Sequence, residues 1–116
     1  MTPLAHEIYR QLLRHLRAHK HSITYAELAA AVSKKLPTHP RSSTFHAALG
    51  EVTAACGAAR LPSLPAIVWR AGGHRPSSGY YAIAHPRART EQAQLAAWER
   101  EHARVVRDLA RFPPTF

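Results

Sequence analysis

Cysteine is nearly absent. Cys56 is the only one, so no internal disulfide braces the 116-residue chain, and nothing in it asks for an oxidising compartment. Asparagine is missing, and no stretch approaches the roughly 20 apolar residues that span a bilayer. Met1 to Arg10 lacks the charged start and continuous apolar run of a signal peptide, so a cytoplasmic protein with no membrane partner is expected. A chain of this length buries one core without metal or disulfide support. The expectation is a single domain over 1–116, with a core over 1–86 and a C-terminal helix over 87–111.

Acidic residues are also scarce where they matter. The formal charge is +9, and between Leu28 and Thr90 eight basic residues (Lys34, Lys35, Arg41, Arg60, Arg70, Arg75, Arg87, Arg89) face one acid, Glu51. The ends are nearly balanced. A composition rich in Ala, Arg and Pro puts arginine on ordinary solvated surface too, but that does not empty the middle of acids. A positive face for phosphates is the better reading.

What is present is strongly periodic. Leu4, Ile8, Leu12 and Leu16, widened by Tyr9 and Leu13, predict a helix over about Pro3–Ala18, with Thr2 as cap and Pro3 at its first position. Ser22-Ile23-Thr24 is a short β-prone step, and Thr24 with Glu27 forms a capping box for a helix from Tyr25 to about Ser33. Pro37 and Pro40 make Lys34 to Arg41 a basic loop. Ser42, Ser43 and Thr44 offer three caps for a third helix ending near Cys56, with Gly57 as its left-handed stop. Phe45, Ala48, Leu49, Val52 and Cys56 line its apolar face; opposite lie Ser43, His46, Ala47, Gly50, Glu51 and Ala54, mostly small or polar.

Ala66 to Arg70 and Gly79 to Ala84 read as two strands joined by a long basic loop over Ala71 to Ser78, a β-hairpin carrying His74 and Arg75 at its tip. Thr90 then caps a helix whose Leu95, Trp98, His102, Val105, Val106 and Leu109 fall at helical spacing, and Arg107 and Arg111 suit its C-terminal dipole. This order predicts an α+β fold: a winged helix-turn-helix with three N-terminal helices, a hairpin wing and an added C-terminal helix.

Ile23-Thr24-Tyr25-Ala26-Glu27-Leu28-Ala29, then Phe45 to Leu49, Leu64-Pro65-Ala66-Ile67-Val68 and Gly79-Tyr80, follow the order of segments in one family. Over roughly Ile8 to Tyr81 the chain resembles the DNA-binding half of alkylguanine-DNA alkyltransferases and alkyltransferase-like proteins. The resemblance implies a winged helix in which Tyr25 meets a DNA phosphate and the helix from Ser43 is the recognition helix. The family's reactive Pro-Cys-His-Arg would fall near Trp69-Arg70-Ala71-Gly72, which has neither cysteine nor histidine, so alkyl transfer to a thiolate is not available there. The arginine that the family inserts into the duplex would fall at Ser43, with Arg41 close by. The Leu61 to Tyr81 stretch also resembles small bacterial proteins of unknown role.

On a winged-helix arrangement Ser42, Ser43, Thr44 and His46 face bases or sugars, while Tyr25, Lys34, Lys35, Arg41, Arg70, His74 and Arg75 grip phosphates. The bland alternative is that the hydroxyls only cap. No Arg, Asn or Gln stands on the exposed face of the third helix, so modest sequence preference is expected. His15, His19 and His21 have ligand-like spacing but no carboxylate or cysteine partner, and no metal or cofactor is expected. Cys56 reads as an inert buried thiol. Trp69, Tyr80, Tyr81 and Trp98 are either stacking platforms or core, and at most one of Tyr80 and Tyr81 is expected to be free. No carboxylate pair, phosphate-binding glycine loop or Ser-His-Asp set stands out, so an enzyme is not expected. The competing function is a protein-interaction module: an inhibitor, antitoxin-like partner or accessory subunit holding an acidic protein surface. That reading, or a homodimer, would gain from an exposed apolar patch on the last helix.

Overall fold

Thr2 opens the first helix as its sequence predicts, its hydroxyl accepting a hydrogen bond from the Ala5 N–H at 3.2 Å. In the computed structural model, which describes residues 1–116, this helix, α1, spans Pro3–Arg17. Ile8, Tyr9, Leu12, Leu13 and Leu16 are buried along it, so the four-residue apolar spacing is the core stripe. The chain leaves α1 through His19 in the left-handed region (φ 61°), with the Lys20 N–H donating back to the His15 carbonyl at 3.2 Å.

β1 (Ile23–Thr24) runs directly into α2 (Tyr25–Ser33). The junction is the expected capping box: the Thr24 hydroxyl accepts from the Glu27 N–H at 3.1 Å, and the Glu27 carboxylate accepts from the Thr24 N–H at 3.0 Å. That backbone bond, first among its causes, holds the Glu27 carboxyl below its ordinary pKa. α3 covers Ser43–Ala58, capped by Ser42, whose hydroxyl accepts from the Phe45 N–H at 3.4 Å. Gly57 is not its stop. The helix continues to Ala58, and Arg60 takes the left-handed conformation (φ 58°) instead. The Leu61 N–H then reaches the Cys56 carbonyl at 2.8 Å, and Leu61 packs against the core; that closure offsets the roughly 1 kcal/mol cost of a left-handed non-glycine residue.

The expected hairpin is absent. Leu64–Ile67 forms a buried 3-10 turn, and only Val68–Trp69 is a strand, β2. β2 pairs in parallel with β1, Ile23 opposite Val68 and Thr24 opposite Trp69. The two strands are joined by a crossover containing α2 and α3, which parallel pairing requires. The second expected strand is a helix, α4 (Ser78–Ala84). Tyr80 and Tyr81 are both buried, which decides between the two conformations. A strand sends adjacent side chains to opposite faces, whereas a helix lets neighbours share one broad apolar face. Neither tyrosine is left free for stacking.

α5 spans Glu91–Arg107, with the Thr90 hydroxyl accepting from the Ala93 N–H at 3.1 Å. Trp98 and Val105 are buried, and Trp98 Nε1–H donates to the Ala66 carbonyl at 2.8 Å. Leu95, Val106 and Leu109 lean against the same core, so the apolar stripe is spent inside the molecule. A short 3-10 turn, Leu109–Arg111, leads to buried Phe112, and the Tyr9 hydroxyl donates to the Pro113 carbonyl. The result is an α+β fold of five helices and one small parallel sheet around a core that runs from Ala5 to Phe112. No helix is long and apolar enough to cross a membrane.

Candidate nucleic-acid interface

Tyr25 is the first residue of α2, one step after the strand residue that pairs with Trp69. That register brings the chain beyond β2 alongside it. The Tyr25 hydroxyl donates to Ser77 Oγ at 3.0 Å and accepts from the Ser77 N–H at 2.8 Å, pinning the approach to α4. On its other side the Tyr25 ring lies 5.5 Å from the His46 ring, centroid to centroid. His46 Nε2–H donates to the Pro40 carbonyl at 2.8 Å, which ties the loop carrying Arg41 to the first turn of α3. Three segments separate in sequence therefore meet at Tyr25.

Between α3 and α4 they enclose a cleft of about 140 Å³, walled by Tyr25, His46, Leu49, Gly50, Tyr80 and Ile83. α4 approaches closely because Gly50 has no side chain: a Cβ there would stand 2.6 Å from Ile83 Cδ1. Exposure therefore changes along the side of α3 that carries His46, Gly50 and Thr53. Ser43, Thr44, His46 and Ala47 are exposed, whereas Thr53, two turns on, is buried. Ser42 alone of the three hydroxyl residues caps the helix.

The expected cationic residues do not form one cluster. Arg70, His74 and Arg75 share a tight turn in which the Arg70 N–H donates to the Arg75 carbonyl at 2.8 Å. His74 stands at φ 52° with its ring 5.7 Å from that of Trp69. Arg75 is paired with Glu91 at 2.8 Å, while Arg70 has no acidic partner. Lys34 and Lys35 are exposed just beyond α2, at the far end of that helix from Tyr25, about 13 Å away at 1.5 Å per residue. Ser33, bonded through its hydroxyl to both the N–H and the carbonyl of Thr38, shapes the loop that follows them. The structure joins Tyr25, His46, the Arg41 loop and the 70–77 segment, and leaves the two lysines as a separate outpost.

Three contributors escape a sequence reading: Ser77, Gly50 and Ile83. The small residues on the outer face of α3 were the available signal, since a face without bulk permits another element to approach. Burial pushes the Cys56 thiol up to about 11 and drives the Tyr80 phenol well above its ordinary value. No three His, Cys, Asp or Glu side chains converge to hold a metal ion. His15 and His102 instead donate through Nε2–H to the carbonyls of Ser22 and His21. No known protein family, curated protein or solved structure matches the chain.

Proposed function

We propose that this protein is a non-enzymatic DNA-binding module of winged-helix type. α2 and α3 serve as its helix-turn-helix, and the 70–77 segment with α4 stands where a hairpin wing would be. The observation that carries this reading is the exposure of Ser43, Thr44, His46 and Ala47 on the first turns of α3, edged by Tyr25 and the Arg41 loop, with α4 packed against Gly50 beyond them. Recognition helices present their early residues to a groove and leave phosphates to neighbouring segments. The ion pairing supports it as well. Of the eight basic side chains between Leu28 and Thr90, only Arg75 has a carboxylate within 4 Å. The resemblance to alkyltransferase-like proteins points the same way, and the buried, protonated Cys56 fits a binding role without thiolate chemistry.

Fluorescence anisotropy with labelled duplexes tests the proposal. Binding is expected at low salt, with Arg41→Ala weakening it uniformly across sequences, as a phosphate contact should. Ser43, Thr44, His46 and Ala47 supply no bidentate base reader, so scrambling the duplex should change affinity by less than about tenfold. No binding at low salt, or preferential capture of an acidic protein surface, would overturn the reading.

A further inference from the structure

A basic depression lies beyond α4 from the cleft. The turn after α4 folds back on α5, held by the Ala88 N–H donating to the His85 carbonyl at 3.0 Å and by Gln94 Nε2 donating to the Ala88 carbonyl at 3.3 Å. Between this turn and α5 runs a groove of about 480 Å³, lined by Ala84, His85, Arg87, Ala97 and Arg100 among others. Ala93, Ala97 and Arg100 recur on one side of α5 and line the groove, and an adjoining depression adds Glu101 and Arg104.

Arg87 and Arg100 differ from the arginines that follow them in the chain. Arg104 is held by Glu101 at 3.0 Å, and Arg107 and Arg111 by Asp108 at 2.8 and 3.1 Å. Arg87 and Arg100 have no carboxylate within 4 Å, although α5 is rich in acids. The groove is joined physically to the first cleft. Tyr80 lines the cleft, His85 lines the groove, and Tyr80 Oη stands 3.1 Å from His85 Nε2. Burial disfavours charge on both groups, so the wall between the two depressions is neutral. Above that wall the outer surface of α4 is Ser78, Gly79, Ala82 and Ile83, exposed and free of charge.

We propose that the groove between α4 and α5 is a second phosphate-binding site, in which Arg87 and Arg100 hold the nucleic-acid backbone after it has crossed α4. This rests on the DNA-binding reading and extends its footprint. A helix with side chains is about 10–12 Å across, and one strand of a duplex advances about 3.4 Å per nucleotide, so the crossing adds about three base pairs to the contact. The unpaired guanidiniums supply the attraction, and the uncharged ridge lets a strand pass without displacing a side-chain ion pair.

The test compares salt dependence on a 20-base-pair duplex for the wild type, Arg87→Ala/Arg100→Ala, and Arg14→Ala/Arg17→Ala, which removes the same charge from exposed positions on α1. Loss of two phosphate contacts should lower the slope of log K against log salt by about 1.8 in the groove variant. The α1 variant should keep a near wild-type slope, and melting temperatures should agree among all three. An unchanged slope in the groove variant, with the parent still binding, overturns the second site alone; an equal fall in both variants does the same by showing a diffuse charge effect. Absence of DNA binding by the wild type removes the underlying function along with it. Tighter capture of a polyglutamate peptide than of the duplex, lost in the groove variant, would assign the groove to an acidic protein instead.

Discussion

At the scale of single residues, the two tryptophans show how similar side chains acquire different energetic roles. Trp98 Nε1–H donates to the Ala66 carbonyl, whereas Trp69 Nε1–H is buried with no partner. Their rings meet edge to face at 5.9 Å, so both changes disturb one cluster. Trp98→Phe leaves a buried carbonyl unpaired and should cost about 1–2 kcal/mol more than Trp69→Phe, which removes a donor already unsatisfied. Equal losses in urea denaturation would contradict this assignment. His85 gives a pH signature. Burial holds its pKa below the ordinary 6.5, so the unfolded chain takes up the proton first and stability falls as pH drops below that value. The melting temperature should therefore decline more between pH 7 and 5 in the wild type than in His85→Asn. Identical pH profiles would count against a buried, neutral His85.

Among elements, the critical join is the one between α2 and the segment leading to α4. Tyr25→Phe deletes both hydrogen bonds to Ser77 while keeping the ring, and should cost about 1–3 kcal/mol at two modest bonds. Amide exchange should speed up most over residues 70–84; protection lost equally everywhere would show that Tyr25 acts on the whole core. Much of this level was legible from the chain. The caps at Thr2, Thr24 and Thr90, the apolar stripe of α1 and the start of α3 follow from local hydrogen bonding and helical spacing, which neighbouring elements do not reverse. Between Ala66 and Ala84 the expected hairpin reduces to the strand Val68–Trp69, because the bias toward aromatic and β-branched residues is a context-dependent preference for half-buried surface that Gly79 to Ala84 satisfies as a helix. Burying Tyr80 and Tyr81 together required a helix, and the pairing of Val68–Trp69 with Ile23–Thr24 depends on contacts that local sequence does not encode. The cleft escapes a local reading for the same reason, since Ser77 and Ile83 gain their partners only when α4 is helical. Family order points to Tyr25, position early on the third helix to His46, and charge to Arg41; that His46 and the Arg41 loop lie beside Tyr25, and that Lys34 and Lys35 do not join them, is a matter of tertiary geometry.

Across the whole molecule, charge is segregated by pairing rather than by composition alone. Five of the sixteen Lys and Arg side chains lie within 4 Å of a carboxylate, leaving eleven without one, and four of the five pairs fall wholly within the two terminal helices and the turn after α5. Glu27 is engaged in a helix cap, and Glu51 binds the Thr2 hydroxyl and N–H. The acids therefore brace local structure and leave Lys34, Lys35, Arg41 and Arg70 available to anions from solution. The most direct measurement is the salt dependence of duplex binding by the unmodified protein. If those four side chains each neutralise a phosphate, log K should fall against log salt with a slope of about −3.6, steepening toward −5.4 when Arg87 and Arg100 also engage. A slope near zero, or no binding at low ionic strength, would contradict a cationic surface built for nucleic acid.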